Sequence, residues 1–290
     1  MKAHHKIAVL THANDELESR SYLLNLLVDT WQKCGTEILV LRGIDRFEPA
    51  DALILHVDLT IVPRDYIAFS QRYPVVINGR VHDISKRKIS AHLLRAGNSY
   101  QGEVIVKTDL NCGGSPEGSG RGARRGRLQR VLYKRLPWSW TGNLSSETYP
   151  IFPSPAAVPR AVWFNPRLVV EKYLPEREGA HYCLRQWIFF GDREINQRVF
   201  SAEPIIKSKN VIHREYDVPV PEALHAMRSK LGFDYGKFDY VLVNGEVALL
   251  DANRTPGANR NNPSPRLSAI VNELAQGLDA FVAGAGPAAS

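Results

Sequence analysis

The sequence predicts two successive units: an α/β unit built on an open, doubly wound parallel sheet, then an α+β unit with antiparallel sheets. Three observations support this prediction. The chain has 290 residues, which is longer than one average domain. Between residues 6 and 78, short apolar runs alternate with helical stretches, as is typical of parallel strands buried on both faces. From residue 168 onward the apolar runs lengthen, and Gly191–Asp192 and Asn244–Gly245 between them are strong hairpin signals.

The first unit is predicted to contain four strands, at residues 6–11, 37–42, 52–57 and 74–78. Asp15 with Glu18 resembles a capping box, and the apolar stripe from Leu23 to Trp31 predicts a helix that stops at Gly35.

Ligands of such sheets bind beyond the carboxyl ends of the strands. The polar residues at those ends are Thr11, His12, Asn14, Arg42, His56, Asp58 and Asn78. A turn or cap role explains each of them as well as a ligand role does.

The second unit begins with a charged stretch, followed by a predicted helix at residues 89–96 and a strand at 103–108. Residues 111–122 then contain five glycines. Further strands are expected at residues 168–174, 181–190, 194–200, 237–243 and 247–251, with helices at 221–231 and 266–281.

Composition indicates a soluble globular protein, since 44% of the residues are hydrophobic and 23% are charged. No apolar run approaches the ~20 residues that span a bilayer, so we expect no membrane association. The start of the chain also lacks the apolar segment of a signal peptide. Cys34, Cys112 and Cys183 are widely spaced and form no disulfide or zinc pattern, which favours a cytoplasmic location.

The net charge of +7 is concentrated in one segment. Residues 121–135 contain seven Arg or Lys side chains and no acid, and the rest of the chain sums to zero. A solvated helix face or a role with an anionic substrate is favoured over polynucleotide binding. A nucleic-acid-binding module that uses this segment remains the alternative from another functional class.

Two aspartates and an asparagine stand at the outer ends of an otherwise apolar hairpin: Asp239, Asp251 and Asn253. Unpaired carboxylates are costly there, so a cation should hold them. Oxygen ligands of this kind suit Mg2+, which takes one or two protein carboxylates. A strict two-residue turn would set Asp239 opposite Leu250, so the metal site requires a three-residue turn, residues 244–246, that ends in a bulge.

Two other segments carry weaker signals. Lys107 ends an apolar strand, and the glycines that follow it would let backbone N–H groups close over phosphates, although such loops are usually only loops. Farther along, the strand 168–174 contains Glu171 and Lys172. It is explained either as an edge strand with one solvated face or as an adenine-binding hinge, in which backbone groups near Lys172 and Leu174 contact the base and Glu178 reaches the ribose.

In combination, these motifs resemble the ATP-grasp superfamily, and the 171–174 segment and the hairpin residues Asp239, Asp251 and Asn253 are close to those of biotin carboxylase. The first unit resembles a pre-ATP-grasp domain. The resemblance implies a pre-ATP-grasp domain at residues 1–84 and an ATP-grasp domain at 85–290, with a small subdomain at about 85–170 and a catalytic subdomain at about 171–290.

The resemblance also implies roles for individual residues. Lys107 would bind the α- and β-phosphates of ATP beneath Gly113 and Gly114, and Lys86, preferred over Lys88, would supply another phosphate contact. The three hairpin residues Asp239, Asp251 and Asn253 would hold one or two Mg2+ ions, with Mn2+ as an alternative. Many family members have Glu at the position of Asp251. The 121–159 insertion matches no motif.

Arg254 would bind the acidic substrate or acyl phosphate. Arg185 and Arg198 are second candidates that a surface ion pair explains equally well. The function implied is an ATP-dependent ligase that joins a small-molecule or peptide carboxylate to an amine. A small-molecule kinase on the same scaffold is the alternative.

Overall fold

The computed structural model describes residues 5–111, 136–260 and 263–283. Strands in this part of the chain form a four-stranded parallel sheet, a four-stranded antiparallel sheet and a six-stranded antiparallel sheet. The predicted succession of an α/β unit and an α+β unit is therefore confirmed. None of the helices among these residues is both long and apolar enough to cross a membrane.

The parallel sheet has the order β2-β1-β3-β4. Its elements are β1 (Lys6–Thr11), α1 (Leu23–Lys33), β2 (Glu37–Arg42), β3 (Ala52–Leu55), α2 (Arg64–Ser70) and β4 (Val76–Ile77). Alternate residues of β1 enter different cores. Ile7 and Val9 pack with α1, and Ala8 and Leu10 pack on the α2 side. This two-sided burial accounts for the continuous apolar run.

The predicted capping box is wrong, because α1 begins at Leu23 and residues 17–19 form a separate 3-10 turn. Instead of capping a helix, the Asp15 carboxylate accepts a hydrogen bond from the Tyr22 hydroxyl at 3.0 Å. The backbone of Tyr22 forms an isolated antiparallel β-bridge with Gly257, and the Leu23 N–H donates to the Pro256 carbonyl. The start of α1 is thus set by a long-range contact that local sequence does not reveal.

The small antiparallel sheet has the order β5-β8-β6-β7. It contains β5 (Leu93–Leu94), β6 (Val104–Thr108), β7 (Ile151–Phe152) and β8 (Leu168–Lys172), and the helices α4 (Trp138–Thr141) and α5 (Arg160–Trp163) lie beside it. The helix predicted at 89–96 is wrong: α3 (Lys86–Ile89) ends early, and Leu93 and Leu94 pair with β8. Strand pairing overrides helix propensity here.

The large sheet has the order β12-β11-β10-β13-β14, with β9 pairing to β10. Its strands are β9 (Glu176–Glu178), β10 (His181–Phe190), β11 (Arg193–Ser201), β12 (His213–Tyr216), β13 (Tyr235–Val243) and β14 (Glu246–Asn253). The accompanying helices are α6 (Glu222–Leu231), α7 (Pro265–Ala275) and α8 (Asp279–Val282).

The last predicted helix is interrupted rather than continuous, because α7 gives way to a 3-10 turn at residues 276–278. A Cβ atom at Gly277 would lie 2.0 Å from the carbonyl oxygen of Phe190. The chain therefore needs glycine at this close approach.

The N-terminal unit is joined to α7 and to the start of β13. Trp31 donates through its indole N–H to the Ala275 carbonyl at 2.8 Å. The Asn78 side chain accepts from the N–H groups of Asp234 and Tyr235 and donates to the Tyr235 carbonyl. Asn78 thus has a structural role at this junction.

His56 is fully buried at the end of β3, edge-on to the Tyr22 ring. Neither ring nitrogen has a hydrogen-bond partner among the described residues. Burial, and secondarily the Arg254 guanidinium, lowers the pKa of His56 from 6.5 to about 3. The folded state therefore holds this imidazole neutral over that whole interval.

This burial predicts acid sensitivity. Between pH 6.5 and about 3 the unfolded chain binds a proton at His56 that the folded chain does not bind, so stability falls as pH falls. His56→Phe should reduce the dependence of the unfolding free energy on pH. One such group contributes at most ~1.4 kcal/mol per pH unit. Urea unfolding from pH 4 to pH 7 measures it. His181→Phe, at an exposed site, is the control, and parallel slopes in both variants and the unaltered protein would contradict the prediction.

Candidate active site

A cleft lies between the small sheet and the large sheet. Its charged lining includes Lys86, Lys107 and Lys172 from the small-sheet side and Asp239 and Asp251 from the large sheet. Its apolar lining includes Ile105, Leu174, Leu184, Val241 and Leu250. Apolar walls with a few convergent charged groups are typical of a small-molecule site.

Asp239 lies directly opposite Asp251 in the β13–β14 hairpin, as the metal hypothesis requires. The predicted three-residue turn is nevertheless wrong. Asn244 and Gly245 form a two-residue turn, with φ angles of 53° and 84°. The register instead shifts by one residue between Asp239 and Tyr240, so Leu250 is the extra residue of a bulge. The bulge brings two consecutive residues, Leu250 and Asp251, to the cleft.

Lys86 reaches Asp251 from the start of α3, with its Nζ atom 2.5 Å from Oδ1. The lysine is 5% exposed, whereas Lys88 lies at the surface, so the geometry supports the choice of Lys86. Burial alone would raise the pKa of Asp251, but the Lys86 ammonium holds it below its ordinary value. Burial would likewise lower the pKa of Lys86, and Asp251 raises it instead. Both groups are therefore charged near neutral pH.

A second lysine holds the other carboxylate. Lys237 Nζ lies 3.0 Å from Asp239 Oδ2, and the Gln186 amide donates to Asp239 Oδ1 at 3.2 Å. Gln186 is itself fixed by the Gln197 amide at 2.8 Å. Each oxygen of Asp239 thus has its own donor.

Asn253 lies two residues beyond Asp251 on β14 and therefore projects from the same face of the sheet. Its Oδ1 atom accepts from the Thr255 N–H at 2.8 Å. Among the residues with described positions, no three His, Cys, Asp or Glu side chains form a metal-binding group. Two carboxylates and an amide oxygen still fit Mg2+, which completes its shell with water and phosphate oxygens.

Lys107 lies in the cleft, but Glu171 does not line it. The Lys107 Nζ atom is 2.7 Å from Glu171 Oε2, and the two side chains are diagonal neighbours on β6 and β8. Glu171 is 3% exposed. Its side chain therefore positions Lys107, and a contact of that carboxylate with nucleotide is not supported by the geometry.

The hinge segment 172–174 lines the cleft. Two of its backbone groups are fixed, since the Lys172 N–H donates to the His92 carbonyl and the Tyr173 N–H to the Glu103 carbonyl. Glu178 lies apart from the cleft lining, with its carboxylate 2.5 Å from Arg198 and largely exposed. Residues 172–174 thus lie in the cleft, whereas Glu178 does not, and the adenine-binding role of this segment stays a prediction.

Arg185 and Arg198 face each other on β10 and β11 and share one acid. Glu176 binds Arg185 through two nitrogens, at 2.9 and 3.0 Å, and Arg198 Nε at 3.0 Å. The arginine side chains are only 15% and 12% exposed, so this is a mostly buried cluster and not a surface ion pair. Neither arginine lines the cleft.

Arg254 is fully buried and points away from the cleft. Its guanidinium donates to the carbonyls of Val81, Leu59 and Thr60, the last at 2.8 Å. Because Arg254 follows Asn253 directly, strand alternation turns it to the opposite face. The structure therefore assigns it to the junction with the N-terminal unit, and its predicted contact with substrate finds no support.

Several predictions fall outside the described residues. They concern Gly113, Gly114, Cys112 and the basic segment 121–135. Conversely, the structure adds residues that the sequence reasoning missed: Lys237, Gln186 and Tyr149. Lys237 could have been found, since it lies two positions before Asp239 on one strand and so shares its face. Gln186 is brought to Asp239 only by the β10–β13 register.

No family model matches this sequence, and no curated protein matches it either. Among solved structures, a D-alanine–D-alanine ligase from Bacillus anthracis is similar over 98% of this chain and 97% of its own, with 12% identity and a TM-score of 0.53.

A RimK domain protein of the ATP-grasp type from Sphaerobacter thermophilus is similar over 96% of this chain and all of its own, with 14% identity and a TM-score of 0.50. The ATP-grasp ligase PsnB, complexed with a minimal precursor, covers 94% and 99%, with 9% identity and a TM-score of 0.51. These likenesses show that the chain has the ATP-grasp fold.

The buried position of Arg254 predicts a stability effect. Arg254→Met leaves three carbonyl groups without this donor and should cost ~3 kcal/mol or more in the free energy of unfolding. Arg260→Met, which removes a partly exposed ion pair with Asp29, should cost less than ~1 kcal/mol. Denaturant titrations compare the two. An Arg254→Met protein with unaltered stability but a raised KM for its acid substrate would restore the substrate-binding role.

Proposed function

We propose that this chain is an ATP- and Mg2+-dependent ligase that activates a substrate carboxylate as an acyl phosphate for attack by an amine. The observation that carries the proposal is the facing pair Asp239 and Asp251, within one cleft that also contains Lys86 and Lys107. Two aspartates from the large sheet and two lysines from the opposite side of the cleft suit a ligand that brings its own negative charge and a divalent cation.

ATP would lie along the cleft. The apolar residues Ile105, Val241 and Leu250 suit the adenine ring, and the backbone at Leu174, beyond the two bonded N–H groups of the hinge, would meet the edge of the base. Lys86 and Lys107 are placed for the phosphates. Most of the contact between ATP and the protein would thus come from residues that other contacts already hold in position.

Asp239, Asp251 and Asn253 would hold Mg2+, or Mn2+ in its place. When bound, the ion would neutralise negative charge on the phosphates. The chain's own contribution is to fix the carboxylates, which the bulge at Leu250 aligns and which Gln186 and the lysines orient. Positioning and electrostatics then account for catalysis without a protein nucleophile.

The reaction has two steps. A carboxylate oxygen attacks the γ-phosphorus, the bond to the β–γ bridging oxygen breaks, and ADP leaves. The amine then attacks the acyl carbon, phosphate leaves, and the amine gives up one proton. The likeness to D-alanine–D-alanine ligase and PsnB supports an amino-acid or peptide acid and an amine as partners, at the level of fold alone.

Asp251→Asn tests the proposal. We expect ATP turnover to fall by at least ~100-fold, because the variant loses a metal ligand, while the circular dichroism spectrum stays unchanged. Lys107→Met should raise the KM for ATP. Lys88→Met, at a surface lysine of the same region as Lys86, is the matched control and should leave both quantities unaltered.

The assay also separates the alternatives. A panel of carboxylic acids and amines is incubated with ATP, and the products are identified by mass spectrometry. Phosphate release that requires an added amine supports the ligase, and a stable phosphorylated product without amine supports the kinase. Salt-sensitive polynucleotide binding that survives Asp251→Asn, without turnover, would support the nucleic-acid alternative.

A further inference from the structure

The two hairpin carboxylates are each held by one lysine, and the two lysines come from unrelated parts of the chain. Lys86 begins α3 and pairs with Asp251 across 165 positions of sequence. Lys237 lies on β13 itself, opposite Asn253, and pairs with Asp239. Directly opposed carboxylates repel each other, so the hairpin needs this compensation to close.

The charges correspond to those of a divalent ion. Two ammonium groups carry the +2 that one Mg2+ carries, and they bind one oxygen of each aspartate, Asp251 Oδ1 and Asp239 Oδ2. Asp239 Oδ1 is held separately by Gln186. The site therefore has the same net charge with either set of cations.

We propose that Lys86 and Lys237 are exchangeable counter-cations of the metal carboxylates. They neutralise Asp251 and Asp239 when the metal is absent. When the metal binds, Lys86 passes to the phosphates of the nucleotide and Lys237 to the acid substrate. This inference rests on the proposed function and names the residues that couple its two ligands.

The placement of the lysines supports such an exchange. Lys86 lines the cleft together with Lys107, where phosphates would take up its ammonium group. Lys237 lies two residues closer than Asp239 to the start of β13, on the side where Asn253 continues to Thr255 and Thr255 bonds to Asp58 of the N-terminal unit. The Lys237 ammonium thus lies toward the junction with the N-terminal unit, where the anionic group of the acid substrate would lie. It is 24% exposed, which leaves it room to change partner.

A thermodynamic consequence follows. Metal alone must break two ion pairs without supplying a phosphate to accept the displaced ammonium groups. Metal with nucleotide breaks the same pairs while phosphates accept an ammonium group. Metal and nucleotide should therefore bind with positive coupling, by a factor in the usual range of ~5 to 150.

Mn2+ binding, measured by electron paramagnetic resonance with and without ADP, tests the exchange without any turnover. Lys237→Met should bind Mn2+ about tenfold more tightly than the unaltered protein when ADP is absent, because one competing cation is gone. Lys86→Met should also bind Mn2+ more tightly without ADP, yet bind ADP more weakly. Lys230→Met, at an exposed lysine of α6, is the matched control.

The outcomes are distinguishable. Unchanged or weaker Mn2+ affinity in Lys237→Met without ADP overturns the exchange. Asp239→Asn and Asp251→Asn should each abolish Mn2+ binding, and if they do not, the metal site of the proposed function fails instead. A thermal melt of each variant confirms that the protein is folded.

Discussion

The pairing of two carboxylates across one hairpin is the constraint on which the rest of the site depends. Asp239 and Asp251 face each other without an intervening residue, so they are stable only where cations surround them. Lys86 and Lys237 supply those cations, and Lys107 adds a third nearby charge that lowers the pKa of Asp251 further. The ion pair between Lys86 and Asp251 therefore links α3, on the small-sheet side of the cleft, to the large sheet.

The N-terminal unit contributes by fixing the base of this hairpin. Arg254 binds three carbonyls of that unit, and Asn78 binds the backbone where β13 begins. Both contacts lie within a few residues of the aspartates. The ligase that we propose would need ligands held to within fractions of an ångström, and these hydrogen bonds beside the proposed metal ligands would contribute to that precision. The first unit thus supports the hairpin that carries the proposed site in the second.

Sequence reasoning predicted strand positions well where residues are buried on both faces, as in β1 and β3, because an unbroken apolar run admits few other structures. It failed where a contact with residues far away in the sequence determines the secondary structure. The start of α1 depends on Pro256 and Gly257, and the conversion of residues 93–94 to strand depends on β8. The hairpin shows both outcomes: the facing aspartates were foreseen from the chemistry of the residues, but the bulge at Leu250 was not, since apolar neighbours on either side fit both registers.

The roles of single arginines were the least predictable part of the site, and strand geometry explains why. A one-residue change in position along β14 separates Asn253, on the cleft face, from Arg254, in the junction. Arg254 is next to the proposed metal ligands in sequence, and for that reason its side chain projects from the opposite face of the sheet. Lys237, two positions from Asp239, has the spacing that Arg254 lacks, and it is the cation that the cleft face of the hairpin itself provides.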